Sequence, residues 1–280
     1  MKKLANAFFR LLWKFLVWLF SGLFWLLKKV FGAVAAFFLW LFSLAKNAVS
    51  KAASDAKRPQ GAASFSSFSL LEPKSGSLED FEKTLFSGKS LVGVIVGARG
   101  SGKSALGMRI LENAAAKGRK VCALGFLPET MPPWIQMADS PDDAPNGSFF
   151  LVDEGGIAFS SRNAFSSPNK LLSELLLISR HKDMSVLFIS QNSANLDVNA
   201  LRQADYFLLR KPSLLQKDFE RKIIGKIYSD NSPGFEKFEN DYPTLVYSDS
   251  FLGFAKNGLP SFWTEKASKA FSKAPIGQAR

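Results

Sequence analysis

The chain has 280 residues, of which 47% are hydrophobic, and it carries a formal net charge of +12. This length allows one domain of about 200 residues with an appendage, and the apolar content excludes a chain that is collagenous or disordered throughout. With a single cysteine, Cys122, and a single histidine, His181, the sequence excludes an internal disulfide and a histidine-based zinc site.

The first element is a basic, strongly apolar N-terminal segment. Residues 1–60 carry ten Lys or Arg against one acid, a net charge of +9, whereas the rest of the chain carries 26 against 23, a net charge of +3. At 100° per residue, five of its polar residues fall in a stripe about 40° wide on a helix: Lys3, Arg10, Lys14, Ser21 and Lys28. We therefore predict an amphipathic helix whose basic stripe faces anionic lipid headgroups.

A second apolar run, residues 30–45, contains no charged residue. As a helix it reaches about 24 Å, less than the roughly 30 Å of a bilayer core, so spanning requires snorkelling lysines and local thinning of the bilayer. We predict amphipathic and transmembrane helices in residues 1–46 and a membrane localisation. A helical hairpin that turns at Lys28 and Lys29 is the alternative topology, and an ordinary buried hairpin in a soluble core is the non-membrane one.

Composition then changes abruptly and sets the expected domain boundaries. Residues 47–77 are rich in Ala, Ser, Lys, Gly and Pro and predict a flexible linker. Residues 78–250 alternate apolar runs with helical patterns and predict one α/β domain, with a mostly parallel sheet between helices. Residues 251–280 are expected to form a C-terminal tail, for which no motif suggests a function.

The strongest motif, GARGSGKS, follows a predicted strand at residues 90–96 and precedes a helical pattern. It fits GxxxxGKS, whose glycines let the backbone turn its N–H groups toward a phosphate at the start of a helix. Lys103 is expected to place its charge near the β- and γ-phosphates, and the Ser104 hydroxyl to bind Mg²⁺. The motif thus predicts ATP and Mg²⁺ as cofactors, bound by Gly97, Ala98, Arg99, Gly100, Ser101, Gly102, Lys103 and Ser104.

Two acids end a second apolar strand further along the chain. Four apolar residues precede Asp153 and Glu154, a pattern typical of a central parallel strand that is buried on both faces. At the carboxyl end of such a strand, Asp153 is expected to hold Mg²⁺ through water. Glu154 is expected to act as the catalytic group that polarises the attacking water.

A third apolar strand, residues 184–190, ends at Gln191. If this strand lies beside the acid-bearing one, the amide of Gln191 is placed to contact both the γ-phosphate and the attacking water. We therefore predict Gln191 as a sensor of the nucleotide state. The predicted catalytic residues are Lys103, Glu154 and Gln191.

The stretch SELLLISRHKDMSVLFISQNSANLDVNALRQADYFLLRKP carries the narrowest pattern in the chain. Together with the nucleotide motifs it resembles the FtsK/HerA group of P-loop ATPases, in particular the genome-packaging ATPases of membrane-containing tailless viruses. It is also similar to the Zot-type assembly ATPases of filamentous phages. The resemblance covers about residues 90–212, and the nucleotide motifs within it are shared much more widely than the SRH and SQ elements.

This resemblance implies a RecA-like P-loop fold, ATP hydrolysis and a homo-oligomeric ring, usually a hexamer. In such rings an arginine of one subunit reaches the nucleotide of its neighbour, and Arg180, Arg202 and Arg210 are the candidates here. The implied partners are double-stranded DNA and capsid or coat proteins, in addition to the membrane lipid that the N-terminal segment predicts. The implied location is a virion internal membrane or the host inner membrane, with the ATPase domain on the side that contains ATP.

The sequence therefore leaves three functions open, of which two are enzymatic and one is not. The main expectation is a membrane-anchored motor that packages viral DNA; the alternative is a Zot-like ATPase that drives phage assembly and extrusion through the host membrane. Zot-type proteins usually place their span after the ATPase, so the order of segments favours packaging, whereas the presence of a span favours Zot. In the third interpretation the chain is a membrane scaffold with a regulatory nucleotide. Residues 155–168, with Arg162, are expected to face the ring channel or to be a solvated connector.

Overall fold

A computed structural model describes residues 13–14, 18, 28–29, 31–32, 34–46, 58–88, 90–153, 168–196 and 198–268. The chain divides into two compact units, Met1–Lys57 and Arg58–Arg280. In the first unit, residues 34–46 are helical. Among the residues described, no helix has both the length and the apolar character that crossing a membrane requires.

The second unit is built around one sheet, in which nine strands are described. They are β1 (Ser69–Gly76), β2 (Val92–Val96), β3 (Val121–Leu124), β4 (Gln136–Met137), β5 (Phe149–Asp153), β6 (Ser185–Ser190), β7 (Tyr206–Arg210), β8 (Thr244–Ser248) and β9 (Phe251–Lys256). Their spatial order is β1-β9-β8-β7-β2-β6-β5-β3-β4. Strands β2 to β7 are parallel, and the β7-β8, β8-β9 and β9-β1 pairs are antiparallel. This confirms the predicted α/β fold with a mostly parallel sheet.

Eight helices are described in this unit, and they cover both faces of the sheet. They are α1 (Leu78–Ser87), α2 (Lys103–Ala116), α3 (Pro168–His181), α4 (Val198–Arg202), α5 (Leu214–Phe219), α6 (Lys222–Asp230), α7 (Ser232–Lys237) and α8 (Glu265–Ser268). Leu106 and Ile110 of α2 pack with Ile95 of β2 in the core on one face. Leu175 of α3 packs with Val94 of β2 on the other. Because alternate residues of a strand face opposite sides, β2 needs apolar residues at nearly every position.

The strand order brings the predicted site residues to one edge of the sheet. Strand β2, which leads into the phosphate loop, lies between β7 and β6, and β6 separates it from β5. Parallel strands end at a common edge, so Asp153, Gln191 and Arg210 lie around the loop. Strand β8 starts at the same edge because Thr244 pairs with Arg210, and β9 ends there because Ala255 pairs with Thr244. The parallel strands follow the order β7-β2-β6-β5-β3-β4.

The structure corrects two predicted boundaries. Residues 58–76, predicted as part of the linker at 47–77, belong to the globular unit, because β1 pairs with β9 and Arg58 donates to the main-chain oxygens of Met131, Pro132 and Ile135. Strand β1 is an edge strand with mostly exposed side chains, which gives it the polar composition of a linker. Residues 251–256, predicted as the start of the tail, form β9, which lies between β1 and β8.

Helix α2 has a buried polar face that holds two distant segments. Its Arg109 and Glu112 are 4% and 0% exposed, and Arg109 Nη1 donates to Glu112 Oε2 at 2.8 Å. Arg109 Nη2 also donates to the main-chain oxygen of Ser64 at 2.7 Å, and Glu112 Oε2 accepts from the Ser261 N–H at 2.9 Å. A buried charge is costly unless it is paired and hydrogen-bonded. The segment before β1 and the segment after β9 therefore both depend on α2.

Close packing of β2 against β7 makes a first prediction. A Cβ added to Gly93 would lie 2.1 Å from Cζ of the Tyr206 ring, which is fully buried with its partners in the core. We expect Gly93→Ala to lower the free energy of unfolding by roughly 1–3 kcal/mol, measured by urea denaturation of the full chain. The control is Gly258→Ala, because a Cβ there meets nothing within 4 Å. An unchanged midpoint for Gly93→Ala would contradict the packing of β2 on β7.

Candidate nucleotide-binding site

The predicted phosphate loop joins β2 to α2 and requires glycine at two positions. Gly102 is the N-cap of α2 with a φ of 86°, a left-handed conformation that side chains with a Cβ rarely adopt. At Gly97, a Cβ would lie 2.6 Å from Cβ of Arg210. The loop is therefore folded tightly between β7 and the N-terminus of a 14-residue helix. The first N–H groups and the positive end of that helix are an anion-binding arrangement.

Lys103 lies folded over this loop. Its side chain is buried, and its Nζ donates to the main-chain oxygens of Gly97 and Ala98 at 2.8 and 2.9 Å. Charged acceptors bind an ammonium more strongly than neutral carbonyls do. A phosphate in the loop is thus the stronger partner for this ammonium, which is already held at the mouth of the loop.

The hydroxyl of Ser104 and the carboxylate of Asp153 meet beside the loop. Ser104 Oγ donates to Asp153 Oδ2 at 2.7 Å. The register of the parallel strands fixes this contact, since Asp153 pairs with Ile189 at the end of β6. One hydroxyl and one carboxylate form the kind of small protein oxygen set that holds Mg²⁺ when phosphate oxygens and waters complete the octahedron. Both predicted metal-binding residues are therefore brought together.

Two further observations fit a bound phosphate group. Within the part of the chain that the structure describes, Ser101 Oγ is buried and has no hydrogen-bond partner. A Cβ at Gly102 would come within 3.0 Å of Arg210 Nη2, so the loop is closely fitted even without a side chain there. An orphaned hydroxyl inside a tight, glycine-lined loop is typical of a site whose ligand completes the hydrogen bonding. The residues present fit a Mg²⁺-bound triphosphate.

Arg210, at the end of β7, braces the loop from within its own subunit. It is 6% exposed, and its Nε donates to the main-chain oxygen of Ser101 at 2.7 Å. Its Nη1 donates to the main-chain oxygen of Tyr242 at 2.6 Å and to Thr244 Oγ1 at 3.0 Å. Burial lowers the pKa of Arg210 to about 10, so the guanidinium stays charged at neutral pH.

These contacts correct one of the sequence-based candidates for an arginine that acts in a neighbouring subunit. The guanidinium of Arg210 is enclosed and bound within its own chain, so it is not placed to reach outward. Arg180 and Arg202 are exposed, and Arg180 Nη2 donates to Gln203 Oε1 at 3.2 Å. These two arginines remain the candidates for that role.

The loop opens into a cavity of about 620 Å³, within the usual range for small-molecule sites. Asp153 and Gln191 both line it, so the ends of β5 and β6 lie at one cavity. The main-chain oxygen of Gln191 accepts a hydrogen bond from Gln216 Nε2 of α5. Glu154 and Arg162 lie outside the described residues, so their roles stay predictions.

Sequence reasoning missed one wall of this cavity. Its lining includes residues from the loop before β8 and from the chain after β9, namely Asp241, Tyr242, Asn257, Leu259, Trp263, Ala267 and Ser268. No local motif marks them, because they reach the site through antiparallel pairing of β8 and β9 with β7. The aromatic residues Tyr242 and Trp263 are the signal that the sequence offered.

No protein-family model matches the sequence, and no curated protein sequence matches it. Among solved structures, the chain is similar to B204, the DNA-packaging ATPase from Sulfolobus turreted icosahedral virus, at 13% identity and a TM-score of 0.43, over 61% of this chain and 98% of that one. It is also similar to B204 from Sulfolobus turreted icosahedral virus 2 in complex with AMPPCP, at 17% identity and a TM-score of 0.43, over 61% of this chain and 99% of that one. A third similar structure is the N-terminal domain of zonular occludens toxin from Neisseria meningitidis, at 18% identity and a TM-score of 0.28, over 44% of this chain and 77% of that one.

Both kinds of protein that the sequence resemblance names, packaging ATPases and Zot, are thus among these structural neighbours. The similarities are low in identity and in score. The chemistry of the site is therefore inferred from the chain's own residues.

The hydrogen bonds of Arg210 lead to a second prediction. We expect Arg210→Gln to weaken binding of ATP to the isolated chain by at least about tenfold, because it removes a charge-assisted hydrogen bond to the loop carbonyl of Ser101. Isothermal titration with ATP and Mg²⁺ measures this. The matched control is Arg119→Gln, an arginine outside the cavity that donates to the main-chain oxygens of Gly88 and Ser148, and it is expected to bind ATP as the wild type does. Equal affinity in both variants would mean that Arg210 does not shape the loop.

Proposed function

We propose that this protein is a membrane-anchored P-loop ATPase that couples hydrolysis of ATP to translocation of double-stranded DNA during packaging of a viral genome. The observation that carries the ATPase part is the hydrogen bond of 2.7 Å between Ser104 Oγ and Asp153 Oδ2 beside the phosphate loop. The DNA part rests on the sequence resemblance of residues 90–212. The membrane part rests on the charge and apolar pattern of residues 1–46.

Each residue of the proposed site has a distinct task. When bound, ATP would supply the anhydride bond, and Mg²⁺ would neutralise part of the phosphate charge. Lys103 exchanges its two carbonyl partners for phosphate oxygens. Ser104 and Asp153 would hold Mg²⁺, Ser104 through its hydroxyl oxygen and Asp153 through water. Glu154 takes a proton from the attacking water, and the amide of Gln191 orients that water.

Contacts around Gln191 suggest how the nucleotide state reaches the surface. Gln216 of α5 donates to its main-chain oxygen, and Glu220 Oε2 accepts from the N–H of Ser193, which follows the end of β6. Helix α5 is therefore hydrogen-bonded to the chain around the proposed sensor. We propose that its exposed Leu215 and Phe219 contact the next subunit of a homo-oligomeric ring, six-membered by the resemblance, so that hydrolysis changes the ring contacts.

Turnover tests the ATPase part. We expect Lys103→Ala to lose both ATP binding and hydrolysis, because it removes the charge that the phosphates need. We expect Glu154→Gln to keep binding but to lower the hydrolysis rate about 100-fold or more, because the base is lost. Phosphate release and ATP titration measure the two effects. Lys226→Ala, an exposed lysine paired with Asp230, is the control and is expected to leave both unchanged. Full turnover in Lys103→Ala would contradict the proposal.

The response to partners separates packaging from extrusion. A packaging motor is expected to hydrolyse ATP faster when double-stranded DNA is added, and Glu154→Gln is expected to abolish the stimulated rate as well. Phosphate release with and without DNA measures this. Stimulation by phage coat proteins, with no response to DNA, would contradict packaging and favour the Zot-like function.

Membrane attachment yields a fifth prediction. We expect the full chain to float with vesicles that contain anionic lipid and to resist extraction by high salt and alkaline carbonate. The double variant Phe37→Lys, Leu41→Lys is expected to be extracted, since each charge costs about 3 kcal/mol in the bilayer core. Leu70→Lys, an exposed position in β1, is the control and is expected to stay with the vesicles. Release of the wild type by high salt alone would contradict a membrane-inserted helix.

A further inference from the structure

The cavity has two chemically different sides, one on each side of the phosphate loop. Asp153 and Gln191 lie at the ends of β5 and β6, on the side where the proposed hydrolysis takes place. On the side of β7, β8 and β9, the cavity continues along a wall that we call the C-terminal wall. It consists of Tyr242, Asn257, Leu259 and Trp263. The four side chains of this wall carry no charge. Asp241, which also lines the cavity, is paired with Lys256 Nζ at 2.8 Å, so the wall is suited to a part of a ligand that is flat and uncharged.

The C-terminal wall combines apolar surface with one hydrogen-bond acceptor. The indole of Trp263 is partly buried against the core, and the side chain of Leu259 is exposed. The amide of Asn257 is oriented by its own Nδ2, which donates to the main-chain oxygen of Gly258 at 3.1 Å. Asn257 Oδ1 is buried and has no hydrogen-bond partner among the described residues. A buried acceptor without a partner is costly, and a ligand that donates a hydrogen bond removes that cost.

Buried contacts hold this wall at a fixed distance from the phosphate loop. The guanidinium of Arg210 bridges the main-chain oxygens of Ser101 in the loop and Tyr242 in the wall. On the other side, Arg109 Nη1 of α2 donates to the main-chain oxygen of Leu259 at 3.4 Å. The helix that starts at the loop therefore also holds the wall. Fixing a site in this way lowers the entropy cost of ordering it when a ligand binds.

We infer that the C-terminal wall is the base-binding subsite of the nucleotide site and that it selects a 6-aminopurine. Trp263 stacks on the base, and Asn257 Oδ1 accepts a hydrogen bond from the exocyclic amine. Guanine carries a carbonyl oxygen at the corresponding position, which places two acceptors against each other and leaves Asn257 Oδ1 unsatisfied. This inference rests on the proposed function, because it requires the triphosphate to lie in the loop.

The test compares three ligands by isothermal titration of the full chain at constant Mg²⁺: ATP, GTP and inorganic tripolyphosphate. We expect ATP to bind at least about tenfold more tightly than GTP. Trp263→Ala is expected to weaken ATP binding about 5- to 100-fold, the range for one base stacked on an aromatic ring, and to leave tripolyphosphate affinity unchanged. Asn257→Leu is expected to bring the affinities for ATP and GTP close together, again without a change for tripolyphosphate.

Two further variants test whether a change in binding comes from a loss of folding. Trp263→Phe keeps an aromatic ring and is expected to bind ATP within about threefold of the wild type. Tyr247→Ala removes a partly exposed aromatic side chain of β8 outside the cavity and is expected to bind all three ligands as the wild type does.

The ligand set separates failure of this inference from failure of the proposed function. If tripolyphosphate and ATP bind, but GTP binds as tightly as ATP or Trp263→Ala leaves ATP affinity unchanged, the base subsite is overturned and the phosphate site stands. If neither ATP nor tripolyphosphate binds the wild type, the proposed function and the inference are both overturned.

Discussion

The hydrogen bond between the Ser104 hydroxyl and the Asp153 carboxylate joins two motifs that lie 49 residues apart in the chain. It forms because β2, β6 and β5 are parallel neighbours whose carboxyl ends share one edge of the sheet. Lys103, folded over the loop carbonyls, and the orphaned hydroxyl of Ser101 lie within the same small region. The geometry of the site therefore comes mainly from the sheet, because the sheet sets the distances between functional groups that have ordinary chemistry by themselves.

Two buried arginines fix the positions of chain segments that lie outside the parallel strands. Arg210 holds the phosphate loop and the chain before β8 with one guanidinium. Arg109, paired with Glu112 on α2, holds the segment before β1 and the segment after β9. Buried charges need several good hydrogen bonds to be tolerated, so each arginine fixes every segment that supplies one. Through Arg109, helix α2 binds segments of the chain that are far apart in sequence. Through Arg210, the end of β7 does the same.

The sequence predicted the centre of this site well because its signals are local. A glycine-rich loop between a strand and a helix, and acids after a fully apolar strand, identify β2, α2 and β5 with little ambiguity. The edge strand β1 was missed because its stability comes from main-chain pairing with β9, which leaves its side chains polar and exposed. The break between α5 and α6 at Glu220 is equally non-local, because the Glu220 carboxylate accepts a hydrogen bond from the Ser193 N–H. Likewise the burial of Arg210 depends on strands that are distant in sequence, and no local pattern records it.

The location of the metal tests the central claim most directly. Mn²⁺ replaces Mg²⁺ in a complex of the full chain with AMPPCP, and pulsed electron paramagnetic resonance records the couplings of the metal to phosphorus and to exchangeable water. We expect couplings to nucleotide phosphorus in the wild type, and an additional metal-bound water in Ser104→Ala, because water replaces the lost hydroxyl ligand. A wild-type spectrum identical to that of Mn²⁺-AMPPCP in buffer, unchanged by Ser104→Ala, would contradict a metal-bound triphosphate at this loop.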